Sequence, residues 1–364
     1  MSISEYSVLM AVLWSDAVIL LAYFLRRRFW FARAFGLKAL LFLYGGCILR
    51  LCAGFEFEAT VEIRVPQMNF VGNLLKSTLP LGTYKISVTA LLVTLWFTVS
   101  AAKIAYTLAN YRRDWIKRRG MSPAGLEVEH CLAKVVEKRD AGKICAVVSE
   151  SIDSPCVFGI RRGMICLPTS DWKLKELEVI LKHEYAHFRH HDMLLYLLTE
   201  LFCGFFWWNP CCYLLKRCQN EILEFRADEV VTAGMKPSDA RYYCMTLIKF
   251  AGVNRISASC FASSKLERRV VRIVGQPFPN RIKRICTILL FLFAMVMLAL
   301  SFCVVPQPYY TADIGSLTLD GKCAAPLEFL QDGIGSYIIS TKDGDIPFSE
   351  KEAIKLQNLS LIHI

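Results

Sequence analysis

Four apolar stretches, Tyr6–Leu25, Leu37–Phe55, Ile86–Leu108 and Ile285–Val305, reach the length of roughly 20 residues that a helix needs to cross a bilayer. Lipid offers no partner to a backbone N–H or C=O, so such runs are restricted to helices, with irregular structure confined to the segments between them. Composition agrees: 54% of the 364 residues are hydrophobic, more than an ordinary soluble globule carries. The net charge of +11 is placed beside the apolar runs, which argues for membrane topology and against direct contact with nucleic acid. Arg26 to Lys38 holds five basic residues and no acid, and Tyr111 to Gly120 five basics and one acid, while Arg281, Lys283 and Arg284 precede the last run. Basic flanks mark the cytoplasmic side. The N-terminus, residues 56–85 and the tail 306–364 are therefore expected outside, and residues 109–284 inside. The run from Tyr6 has no basic leader and does not read as a cleavable signal peptide. Within the runs, Lys103 and Arg50 are expected to snorkel; a pair between Asp16 and Arg50 on the neighbouring helix is the alternative.

The inner segment of about 170 residues is long enough for a core of its own. Its stretch "KICAVVSESIDSPCVFGIRRGMICLP" alternates β-branched residues with turn signals, and predicts strands near 144–149, 155–160 and 164–167. The exposed edge of that sheet could take up an extended substrate by strand addition. Next, Asp171 is placed to cap a helix through "WKLKELEVILKHEYAHF". His183 and His187, four apart, project from one helical face. Two imidazoles so spaced can share a Zn2+, with Glu184 beside them as general base. A catalytic zinc needs a third protein ligand. In "NEILEFRADEVV", Glu224 can supply it and Asp228, one turn on, can accept a ring N–H and fix a histidine tautomer. Glu221 competes for the third position, and His191 is a weaker competitor; Asp192, His190 and His191 otherwise cap or solvate the helix end. The apolar stretch Met193–Leu215 has spanning length, but a single crossing would put Glu224 on the opposite side from His183 and His187. The interruption at Asn209–Pro210 suggests instead two apolar helices that do not cross.

The fifteen cysteines have no framework spacing and are expected to be reduced, packed thiols.

The succession "SPCVFGIRRGMICLP", "LEVILKHEYAHFRHHD" and "WWNPCCYLLKRCQNEILEFRADE", followed by one more span, resembles the BlaR/MecR-type antirepressor membrane metallopeptidases, the penicillin-sensory transducers and their relatives. The resemblance implies an α-helical polytopic protein of the bacterial plasma membrane with an inserted cytoplasmic α+β zincin domain. Its parts would be two transmembrane helices in 1–55, an outside loop 56–85, a third helix 86–108, the metallopeptidase 109–284, a fourth helix 285–305 and the outside tail. By resemblance, His183, His187 and Glu224 hold Zn2+, Glu184 is the catalytic base, and Asp228 supports a ligand histidine; Ala227 stands where relatives often have cysteine. The implied function is that of a sensor-transducer: an outside signal, a β-lactam or cell-wall stress in relatives, activates cytoplasmic proteolysis of a transcriptional repressor. Self-cleavage near Ser259–Phe261 or Arg268–Arg269 is expected as well, as are contact with membrane lipid and a homodimer. Residues 306–364 lack the Ser-x-x-Lys of a penicillin-binding sensor, and the inner Ser170–Lys173 spacing reads as coincidence. The last six residues, "LSLIHI", are what CTG TCT CTT ATA CAC ATC encodes, a string of transposon-based sequencing adapters. Leu359–Ile364 are therefore expected to be foreign and the tail to be a sensor cut short. Rival expectations are a housekeeping membrane metalloprotease of quality-control or prenyl-protein type, and a non-catalytic receptor with a structural zinc.

Overall fold

Long apolar runs without internal proline form the helices that frame the chain. The structure, a computed structural model, describes residues 5–26, 36–55, 60–65, 67–81, 84–252, 260–275 and 280–307, with strands at 311–313, 318–319, 322–323, 328–331, 337–341 and 344–348. Among the described helices, three are long and apolar enough to cross a membrane: α1 (Glu5–Leu25), α4 (Val88–Arg119) and α11 (Asn280–Cys303). Helix α2 (Leu37–Cys52) has 16 residues, about 24 Å of rise against a hydrocarbon core of about 30 Å. The second expected span is thus shorter as a helix than as an apolar run. The chain divides into two packed units, one of residues 1–15, 48–95 and 296–364 and the other of 16–47 and 96–295.

In the first unit, β1 (Val61–Arg64) pairs in parallel with β8 (Val304–Gln307), and β2 (Thr78–Leu81) forms a hairpin with β3 (Tyr84–Ser87) after the short helix α3 (Gln67–Lys76). Arg50 does not snorkel. It is 2% exposed, donates from Nε to Ser301 Oγ at 3.0 Å and from Nη2 to the Ser301 carbonyl at 3.0 Å, and lies over the Phe302 ring. Four tail strands, β9 (Thr311–Asp313), β12 (Glu328–Gln331), β13 (Tyr337–Thr341) and β14 (Gly344–Phe348), make an antiparallel sheet in the order β14-β13-β12-β9; the two-residue strands β10 (Thr318–Leu319) and β11 (Lys322–Cys323) pair with each other.

The second unit carries the inner segment. Its sheet has the order β4-β5-β7-β6, with β5 (Ile144–Ser149) parallel to β7 (Gly163–Pro168), and β4 (Ser122–Pro123) and β6 (Cys156–Phe158) antiparallel at the edges. The three strands expected near 144, 155 and 164 are those observed as β5, β6 and β7. Helices α5 (Leu126–Val135) and α6 (Leu174–Arg189) cover one face, where Ile165, Leu167, Leu177, Ile180 and Leu181 are buried together. Gly163 permits the close fit: a Cβ there would come within 2.5 Å of the Phe188 ring on α6. Asp171 does not cap α6. Lys173 takes the N-cap position, and no side chain caps the helix start. Past α6 the chain continues through α7 (Asp192–Phe205), α8 (Pro210–Thr232), α9 (Pro237–Gly252) and α10 (Cys260–Val274).

The apolar stretch 193–215 is divided between α7 and α8, as the Asn209–Pro210 break suggested. Asn209 caps α8 by accepting from Cys211 N at 2.8 Å, with the following proline at the first helical position, where no N–H is missed. Its amide also donates to Asp16 Oδ1 at 2.9 Å. Asp16 therefore takes Asn209 as its partner, and the expected alternative pair with Arg50 is not formed. A neutral amide meets the half-buried carboxylate without desolvating a second charge.

Candidate metal centre

Helix α6 buries the face that carries its polar site residues: His183, Glu184 and His187 are each 7% exposed or less. The i, i+4 spacing stacks the two imidazoles on that face, with Nε2 atoms 3.2 Å apart. Helix α8 packs against α6 and brings Glu224 Oε2 to 3.8 Å from His183 Nε2. Donor atoms of His183, His187 and Glu224 all lie within 4.8 Å of one another, and this is the cluster of such donors among the described residues. The structure brings together the three residues singled out from the sequence.

Each imidazole is held from behind. His187 Nδ1 lies 2.7 Å from Asp192 Oδ2, and Asp192, 1% exposed, is itself clamped by Arg226. His183 Nδ1 lies 2.8 Å from the Tyr243 hydroxyl, which donates to Asp228 Oδ1 at 2.7 Å. The direct distance from His183 Nδ1 to Asp228 is 3.5 Å, so the support expected from Asp228 passes through Tyr243. Asp192 was expected only at the helix end; it instead supports His187, because the chain reverses at His191 and returns the carboxylate beneath the ring. His190 does end α6, with Nδ1 2.7 Å from the Ala186 carbonyl. With both Nδ1–H groups engaged, the lone pairs of both Nε2 atoms face the same point, an arrangement that repels unless a cation lies between them. The donor set therefore fits a divalent metal.

Glu221, the competitor for the third position, is bonded to Arg26 and Arg268 and is absent from the cluster, as is His191. Helix α10 contributes two residues that sequence reasoning missed at this site. Arg269 bonds Glu224 Oε2 at 2.9 Å and Asp228 Oδ1 at 2.7 Å, and Lys265 lies 3.5 Å from Glu224 Oε1. Nothing in the local pattern of "KLERRVV" marks this role, since it depends on packing against α8. The segment expected to be cleaved is helical over the described part, and the Arg268–Arg269 bond lies inside that helix with both side chains engaged. Ser259, in the other proposed cleavage position, lies outside the described residues, as do Leu359–Ile364.

Electrostatics separate the two glutamates. Burial pushes Glu184 upward, against the pull of His183 and His187, which suits a group that must take up a proton. Burial acts on Glu224 in the same sense, but Arg269, the neighbouring His183 ring and Lys265 outweigh it and hold the carboxyl well below its usual range. It stays anionic, as a ligand must. Burial opposes a charged His187, yet Asp192 and the carboxylates of Glu224 and Glu184 raise it above the ordinary 6.5. The site opens into a cavity of about 510 Å3 lined by His183, Glu184, His187, Tyr196, Glu224 and, from the sheet edge, Cys156.

Residues 61–273 match the family described as BlaR1 peptidase M56. The chain belongs to this family. Relatives include the methicillin resistance mecR1 protein of Staphylococcus aureus, 27% identical over 215 residues, or 55% of this chain and 36% of the relative. The regulatory protein BlaR1 of Bacillus licheniformis is 27% identical over 142 residues, 36% of this chain and 24% of that protein. The chain thus spans about a third of the curated relatives it matches most extensively. The matched segment contains all the residues of the candidate metal centre, and three described helices are long and apolar enough to cross a membrane.

Proposed function

We propose that this chain is the membrane-anchored zinc endopeptidase of a bacterial sensor-transducer. An outside signal activates its inward-facing site, and the site then cleaves a cytoplasmic transcriptional repressor. One observation carries the reading: two imidazoles with Nε2 atoms 3.2 Å apart and an anionic Glu224 converge on one point, with the buried Glu184 in the same cavity. His183, His187 and Glu224 would hold the ion, which would acidify a bound water and polarise the scissile carbonyl. Glu184 takes the proton of the attacking water and returns it to the leaving amine. Asp192 and the Tyr243–Asp228 pair orient the rings, and Arg269 keeps Glu224 ionised and pairs with Asp228. Residues 154–157, at the free edge of the sheet, line the cavity, so an extended substrate can add as a strand there. The basic flanks support an inside location for this unit and an outside one for the tail.

The test compares Glu184→Gln with His183→Ala in the full chain in membranes, with a repressor supplied. Both variants should lose cleavage, while only His183→Ala should lose zinc. Repressor cleavage surviving in Glu184→Gln would overturn the assignment of the base.

A further inference from the structure

Beside the metal centre lies a pair of nucleophiles that peptide hydrolysis does not use. In the antiparallel β6–β7 ladder Cys156 stands directly opposite Cys166. Opposed residues share one face of the sheet, with Cβ atoms about 4.5–5.5 Å apart and Cα atoms about 4.5–5.5 Å apart, inside the Cα range of roughly 4.4–6.8 Å that a disulfide bridges. Arg118, in the last turn of α4, donates from Nη1 to Cys156 Sγ at 3.3 Å. Cys166 is fully buried against Val147, Ile152 and Met164, whereas Cys156 is partly exposed and lines the metal-site cavity.

The electrostatic setting is unlike that of a packed cysteine. Burial, aided by the Asp228 charge, pushes Cys244 up to about 11. In the pair, the hydrogen bond from Cys156 and the Arg118 guanidinium bring the Cys166 thiol down to about 7 against the cost of burial, while Cys156 moves up. Arg118, which donates to Cys156, acts to favour its thiolate, and Cys156 is the sulfur that a solute in the cavity can reach.

We propose that Cys156 and Cys166 form a redox couple that hydroperoxides close to a disulfide and cellular thiols reopen. The Cys156 thiolate attacks the terminal oxygen of the hydroperoxide. An S–O bond forms, the O–O bond breaks, and the alcohol (water, for hydrogen peroxide) leaves with a proton. The Cys166 sulfur then attacks the Cys156 sulfenic acid; the S–S bond forms, the S–O bond breaks, and water departs carrying the remaining thiol proton. Two thiols lose two electrons in total and one hydroperoxide gains them. Thiol–disulfide exchange reverses the closure. The disulfide ties the free edge strand to β7 and removes the sulfur partner of Arg118, so it acts on the edge that borders the metal site.

The experiment exposes the full chain in membranes to hydrogen peroxide, alkylates free thiols and maps the peptides by mass spectrometry. A peptide linked through Cys156 and Cys166, lost on treatment with dithiothreitol, is the expected result. In Cys166→Ser, Cys156 should be trapped by dimedone as a sulfenic acid, and Arg118→Met should slow closure in the otherwise unaltered chain. Recovery of Cys156 and Cys166 as alkylated thiols while other cysteines oxidise would overturn the proposal. So would separate sulfinic acids at both positions with no linked peptide. Neither outcome depends on whether the chain cleaves a repressor.

Discussion

His191 is the non-glycine residue with positive φ among those described, at φ 57° and ψ 35°. This left-handed step, uncommon for a residue with a Cβ, turns the chain between α6 and α7 so that Asp192 returns to His187 Nδ1. The HExxH spacing showed which residues could hold the metal, but Asp192 follows the helix end and no helical periodicity governs its direction. Asp228 was legible as a supporting residue, while Tyr243, 60 residues from His183, carried no local signal. Replacing such a supporting group typically costs about 10–100-fold in metal affinity, and Asp192→Asn is expected to weaken zinc binding by that order in a competition with a chromophoric chelator. The pH dependence has a defined sign. Because His187 sits above 6.5, protons displace the metal from a higher pH than they would for an ordinary histidine. Zinc affinity should therefore decline as pH falls through that raised value, and in Asp192→Asn the decline should begin at lower pH.

Strands β5 and β7 were readable because they are continuous β-branched and apolar runs between turns, and α6 and α8 because their apolar and ligand positions keep helical spacing. Boundaries were less readable: the helix expected to start at Asp171 begins at Leu174, after a β-conformation N-cap at Lys173. The β6–β7 turn depends on Gly159, whose φ is +105° and whose pro-Cβ position is 2.1 Å from the Arg162 carbonyl and 2.9 Å from the Trp115 ring. Relief of that clash requires backbone movement, so Gly159→Ala is expected to destabilise the peptidase unit by more than about 2 kcal/mol. A lowered unfolding midpoint in detergent would report it, and an unchanged midpoint would show that the turn relaxes freely. Helix α10 was the least legible element. Its basic residues look like a solvated approach to the last span, yet Arg268 and Arg269 are bonded to Glu221, Glu224 and Asp228.

For the molecule as a whole, the proposed topology places both sides of the apolar stretch 193–215 within the cell. Cysteines introduced at exposed Lys138 and Ser238, in a background cleared of reactive thiols, should both resist an impermeant maleimide added outside and both react after the membrane is opened. Labelling of Ser238→Cys alone from outside would mean that the stretch crosses, and the metal centre could then not assemble. Apolar length and an i, i+4 histidine pair were enough to point to the apolar helices and to the cluster of His183, His187 and Glu224, because span length and one-turn spacing are properties of local chain geometry. Which groups brace those ligands was decided by packing. Arg269 reaches His183 across 86 residues, Tyr243 across 60, and Cys156 meets Cys166 only through strand register. Such contacts are set by how buried surfaces fit and how buried charges find partners, which short-range sequence pattern does not encode.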